Sequence, residues 1–256
     1  MNRLPDALDA LRSSGLDGWL LYDFRGSNPL LWQLLGVSLH STRRVFLLLR
    51  PSGDAALLVH QVDAGHFPTG GLDVRPYQNR EDLLAQLEGL LRGGDQVAME
   101  YSPMGALPTL SCVDGGTLEL VRSFGATVVS SADLAQAALC RLTAPELASH
   151  RRAAQALGEV VQAAFRFIGA GARRGVTEYD AAEFIRSQFT AAGFETDSGP
   201  VVAVNRHAGD PHYEPKPALS AAIEPGDWVL IDLWAKQPGG IYGDITWVGY
   251  LGGRPP

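Results

Sequence analysis

Cysteine is nearly missing. Cys112 and Cys140 are the only two in 256 residues. They form no C-x-x-C pair and no metal-caging spacing, which excludes a disulfide framework and fits a reducing cytosol. Both read as structural thiols. Long apolar runs are lacking too: none approaches the roughly 20 residues a membrane-spanning helix needs. The start, MNRLPDALDALRSSG, is amphipathic and acidic and lacks the apolar centre of a signal peptide. A cytoplasmic location with no membrane partner is expected. Positive charge is in deficit, 21 Lys and Arg against 28 Asp and Glu, for a net charge of −7. The basic pairs Arg43-Arg44, Arg151-Arg152 and Arg173-Arg174 are scattered, so no nucleic-acid partner is expected. The glycine-rich stretches GGTLEL and GLDVRP match no phosphate-binding fingerprint. No internal repeat is visible.

What remains is a globular composition, 46% hydrophobic and 19% charged, long enough for one large or two ordinary domains. Residues 4–15 read as a helix, with Leu4, Leu8 and Leu11 on one face and Gly15 as its stop. Residues 17–24 read as a buried strand, followed by a turn-rich RGSNP. Residues 44–50 and 55–60 form a hairpin about PSGD. Residues 80–92 are an amphipathic helix, 96–101 a strand, 117–125 largely helix and 126–131 a strand. Strands alternating with helices imply an α/β layered domain over residues 1–141.

The texture changes after Arg141. Thr143 and Glu146 make a capping box with Pro145 in the first turn, opening a helix that runs to Gly169. Leu147, Ala154, Leu157, Val161, Ala164, Phe165 and Ile168 form its inner stripe. Thr177 and Asp180 open a second helix whose inner stripe is Tyr179, Ala182, Ile185 and Phe189, with Gly193 as its end. A strand at 199–205, a polar loop through His212 and a turn at 224–227 follow. Last comes WVLIDLWAKQPGGIYGDITWV, residues 228–248. Its two apolar runs, Trp228–Trp234 and Ile241–Val248, flank a Lys-Gln-Pro-Gly-Gly break, as in a hairpin.

Each run carries one aspartate where a hydrophobe is expected. Asp232 and Asp244 lie symmetrically about Pro238, so a simple register sets them directly opposite, with Cβ atoms roughly 4.5–5.5 Å apart. Two such carboxylates need a shared proton or an intervening cation. Thr246, two residues beyond Asp244, is placed to orient that carboxylate or to serve as a plain β-former. In the first domain Asp23, Arg25 and Asn28 cluster either as surface turn formers, the first expectation, or as polar groups that reach a neighbouring site across a dimer. His207 competes with His212 as the loop's working histidine, and an incidental role is expected for it.

With these residues set out, LIDLWAKQPGGIYGDITW and the upstream Pro211-His212-Tyr213 resemble the pita-bread metallopeptidases, in the aminopeptidase P, prolidase and creatinase branch. The resemblance implies a creatinase/prolidase-type α/β domain over 1–141 and an incomplete pita-bread (α+β) catalytic domain over 142–256. It implies hydrolysis of the Xaa-Pro peptide bond with two divalent ions, Mn²⁺ first and Co²⁺ or Zn²⁺ next. Asp232 would chelate one ion and Asp244 bridge both; His212 would contact the substrate near the scissile bond and Tyr213 line its pocket. A homodimer and a proline-containing peptide substrate are implied as partners. Asp232 and Asp244 have eleven residues between them, where many relatives have ten. The family adds a histidine and two glutamates further on. The stretch ITWVGYLGGRPP after Asp244 contains none, so three of five expected ligands are missing and an inactive N-terminal fragment is expected. Two other readings keep the fold: a creatinase-like amidinohydrolase, which would lack the paired aspartates, and a non-catalytic peptide-binding module.

Overall fold

The computed structural model describes residues 3–37, 41–67 and 70–255. The chain divides into two compact units, residues 1–141 and 142–256.

In the first unit, helix α1 (Leu4–Ser14) ends at Gly15, whose φ of 75° is the left-handed conformation a helix stop favours. Strand β1 (Gly18–Phe24) leads through helix α2 (Pro29–Leu35) to the antiparallel pair β2 (Arg44–Leu49) and β3 (Ala55–His60). Strand β4 (Asp73–Tyr77), helix α3 (Arg80–Leu90), strand β5 (Gln96–Met99), helix α4 (Gly115–Ser123), strand β6 (Thr127–Ser130) and helix α5 (Ala132–Leu139) complete it. The six strands form one mixed sheet in the order β4-β3-β2-β1-β5-β6. Strand side chains alternate between faces, so Trp19 and Leu21 enter one apolar cluster with α1, α2 and α5. Leu20 and Tyr22 enter another with α3 and α4. A sheet covered on both faces is why β1 and β2 read as unbroken hydrophobic runs. The sequence reading passed over α2, β4 and α5, which are 7, 5 and 8 residues long.

In the second unit the Thr143–Glu146 capping box is present and starts helix α6 (Ala144–Gly171). A second box, Thr177 with Asp180, starts helix α7 (Glu178–Ala191). Strands β7 (Val201–Val204), β8 (Trp228–Ala235) and β9 (Gly243–Tyr250) form an antiparallel sheet in that order. Val229, Ile231, Leu233 and Ala235 of β8 are buried in one cluster with Leu157, Val161 and Ala164 of α6 and Ile185 of α7. The helices thus cover one face of the sheet. The alternate residues of β8, from Trp228 to Trp234, are half-buried or exposed. The inner stripes differ in detail from those expected. Leu147 and Ala154 are exposed while Ser149 and Ala153 are buried, and the inward residue at the start of α7 is Glu178, with Tyr179 only half-buried.

Candidate metal and substrate site

The β8–β9 hairpin places both aspartates on its open face, in a register other than the symmetric one. Asp232 pairs with Thr246, and Asp244 pairs with Trp234. The two carboxylates are therefore diagonal neighbours offset by one pleat, a separation of about 7–8 Å between backbones and within reach of long or ion-bridged groups. Direct opposition is corrected to this diagonal. Two like charges so placed repel less than a directly opposed pair.

Asp232 is half-buried between Val201 on β7 and Thr246 on β9. Thr246 Oγ1 donates to Asp232 Oδ1 at 2.6 Å, so the threonine orients Asp232 rather than its strand-mate Asp244. Asp244 is exposed. Trp234, on the same face, was not singled out in the sequence. Its indole Nε1 donates to Asp197 Oδ1 at 2.8 Å and holds that carboxyl below the usual carboxylate range. Its ring lies over Gly199, where a Cβ would stand 2.7 Å from the ring and where φ is 64°. Glycine is required there on both counts.

The loop between β7 and β8 carries the histidines. His212 is exposed and is fixed through its backbone, its N–H donating to Asp210 Oδ1 at 2.9 Å. Among the described residues no hydrogen bond joins it to Asp232 or Asp244. His207 is not incidental. Its Nδ1 lies 2.9 and 3.1 Å from the two carboxylate oxygens of Glu178, and its ring stacks on Tyr213 with centroids 4.5 Å apart. The Tyr213 hydroxyl donates to Glu178 Oε2. Burial first, then that hydrogen bond and the glutamate's charge, push the phenol up to about 12. Glu178 was missed because its partners are 26 to 43 residues away and nothing local marks it.

In the first unit, Asp23 and Asn28 are fully buried, contrary to the surface-turn expectation. Asp23 accepts from the N–H groups of Gly26 and Asn28 and from Trp32 Nε1; Asn28 Oδ1 caps α2. Asn28 Nδ2 donates to Glu100 Oε2 at 2.7 Å, while Glu100 Oε1 accepts from Trp19 Nε1 and Ser131 Oγ. Arg25 stays exposed at the turn with φ 61°. Cys112 is half-buried and Cys140 exposed, so neither packs as a core thiol.

Residues 148–256 match the family model described as metallopeptidase family M24. No curated protein sequence matches the chain. Among solved structures, dipeptidase PepE from Mycobacterium ulcerans is 21% identical with a TM-score of 0.70, over 99% of this chain and 65% of that one. A prolidase from Thermococcus sibiricus is 18% identical with a TM-score of 0.60, over 99% and 66%. An X-prolyl aminopeptidase from Caenorhabditis elegans, described as a cytosolic enzyme with a di-nuclear active site, is 15% identical with a TM-score of 0.63, over 100% and 42%. These likenesses carry the fold: a mixed α/β chain of pita-bread architecture spanning about two thirds of the first structures it matches.

Proposed function

We propose that this chain, of the M24 metallopeptidase type over residues 148–256, carries part of the machinery of a metal-dependent exopeptidase that hydrolyses the bond before proline, as Xaa-Pro dipeptidases and aminopeptidases do. The observation that supports it most is the placement of Asp232 and Asp244 on one open sheet face, with Thr246 fixing one oxygen of Asp232. The donor set is hard and anionic and fits Mn²⁺ first, then Co²⁺ or Zn²⁺. Asp232 would chelate one ion through the carboxylate that Thr246 holds, and Asp244 would bridge to a second. When bound, such ions polarise a peptide carbonyl and lower the barrier to its attack.

The chain's own residues do the rest. His212 offers an exposed imidazole on a backbone-anchored loop, suited to donate a hydrogen bond to the substrate. Tyr213 lines the pocket with its ring, since its hydroxyl is engaged inward. Among the described residues no group of three or more His, Cys, Asp or Glu is placed to hold a metal ion, so Asp232 and Asp244 would be a sparse donor set on their own. The 256-residue chain alone is expected to bind divalent ions weakly and to be inactive, because affinity follows ligand number and geometry. The active protein is read as a cytoplasmic homodimer acting on proline-containing peptides.

The test is turnover of an Xaa-Pro dipeptide with Mn²⁺ by the protein as its gene encodes it, against Asp232→Asn and Asp244→Asn. Each substitution should remove at least a hundredfold of activity. Turnover that survives both would reject the metal assignment, and absence of stoichiometric metal in the purified protein would favour a binding module.

A further inference from the structure

We propose that Glu178 is a positioning residue for His212: its buried carboxylate pins both ends and the middle of the loop on which that histidine stands. The inference rests on the reading of His212 as the group that meets the substrate.

Glu178 is wholly excluded from solvent at the first turn of α7. An unpaired carboxylate there would be costly to bury, yet it is met by four donors. Val204 N–H, where the loop leaves β7, donates to Oε1 at 2.7 Å. Ala221 N–H, where the loop returns, donates to Oε2 at 2.7 Å. His207 Nδ1 and the Tyr213 hydroxyl fill the remaining positions from within the loop. The main chain of residue 178 adds a bond in the same direction, its N–H donating to Ala221 O at 3.1 Å. The helix N-terminus behind the carboxylate favours its negative charge.

Two consequences reach His212. A carboxylate only accepts, so His207 must carry its proton on Nδ1, which settles its tautomer and locks its ring against Tyr213. Tyr213 is the residue after His212, and its N–H donates to Asp210 O at 3.1 Å. His212 therefore stands between an Asp210 turn on one side and an anchored tyrosine on the other. Its backbone is set, and only its side-chain torsions are left to search. Positioning of this kind matters to a reacting group because small misplacements cost large factors in rate.

The experiment compares the full chain with Glu178→Gln and Tyr213→Phe by amide hydrogen exchange and by ¹⁵N NMR of the histidine rings. In the wild type His207 should show the Nδ1-protonated form. In Glu178→Gln one acceptor becomes an N–H₂ facing N–H donors, so exchange at Val204, Ala221, His212 and Tyr213 should rise at least tenfold while α6 and β8 amides hold. If that variant loosens α6 and β8 as well, Tyr213→Phe decides, since it removes one donor and keeps the other three. It should speed exchange at His212 and Tyr213 alone. Exchange there that is unchanged in Tyr213→Phe, or a wild-type His207 protonated on Nε2 only, overturns the proposal. None of these readouts needs turnover, so a chain without peptidase activity would sink the functional reading while leaving this result legible. In the active protein Glu178→Gln should lower kcat more than it raises KM.

Discussion

Glu100 and Glu178 are carboxylates withdrawn entirely from water, and each is met by donors alone. For Glu100 those donors are Trp19, Asn28 and Ser131, while burial, the larger influence, pushes its carboxyl above the usual range. A group with a raised folded-state pKa contributes stability that is complete below its ordinary value near 4.5 and is lost as pH rises through the folded value. Glu100→Gln should therefore remove the fall in stability that Glu100 contributes as pH rises above about 4.5, seen as the difference between the two denaturation series. It should also cost roughly 1–3 kcal/mol, because the new amide N–H₂ must face another donor. Tyr213 obeys the same sign at the other extreme. Its phenol, held up to about 12, lends stability that is full below its ordinary value of 10 and disappears as pH climbs between the two. Absorbance titration should find late phenols at Tyr22 and Tyr77, raised by burial, and at Tyr213, and only the Tyr213 phenol should move back toward 10 in Glu178→Gln.

At the level of elements, the sequence announced what local chemistry decides. Thr143 and Glu146 signal the start of α6 because both halves of the reciprocal cap lie within four residues; Thr143→Ala should cost about 1 kcal/mol, measured by urea denaturation. The hairpin was visible for the same reason. Its register was not, because it depends on packing between elements. Gly243, the first residue of β9, lies against α6 so closely that a Cβ would stand 2.9 Å from Ala154 N and 3.0 Å from Ala153 C. Gly249 leaves similar room for the ring of Phe165. A strand seated by glycines against a helix is fixed by that helix, and a symmetry argument about Pro238 cannot sense it. Gly243→Ala should destabilise the second unit by about 1–3 kcal/mol and weaken the Thr246–Asp232 hydrogen bond with it. The short elements α2, β4 and α5 escaped for a different reason: they hold too few residues to show a period. Glu178 escaped because its donors come from far along the chain.

Considered whole, each unit has an interior of its own. Two apolar clusters sandwich the six-stranded sheet within residues 1–141, and a separate one lies within 142–256. A polypeptide of residues 3–141 should accordingly fold alone, with a cooperative melt by circular dichroism; a broad, non-cooperative transition would contradict this. The division of labour also explains what was legible about the candidate site. The pattern around Asp232 and Asp244 lies within one contiguous hairpin, so it could be read from sequence, whereas the placement of Thr246, Trp234 and the Glu178 network required three dimensions.

The seven residues Lys236–Tyr242 that join β8 to β9 have a meaning beyond connection. Side chains in a strand alternate strictly, so threading β9 one residue further would swing Asp244 round to α6 and bring Ile245 outward. A slip of two would keep both carboxylates on the same side and slide them past one another by a full pleat. The register held from Ala235 and Gly243 onward is thus a vernier: an odd step parts the two charges between faces, and an even step only changes how far apart they stand.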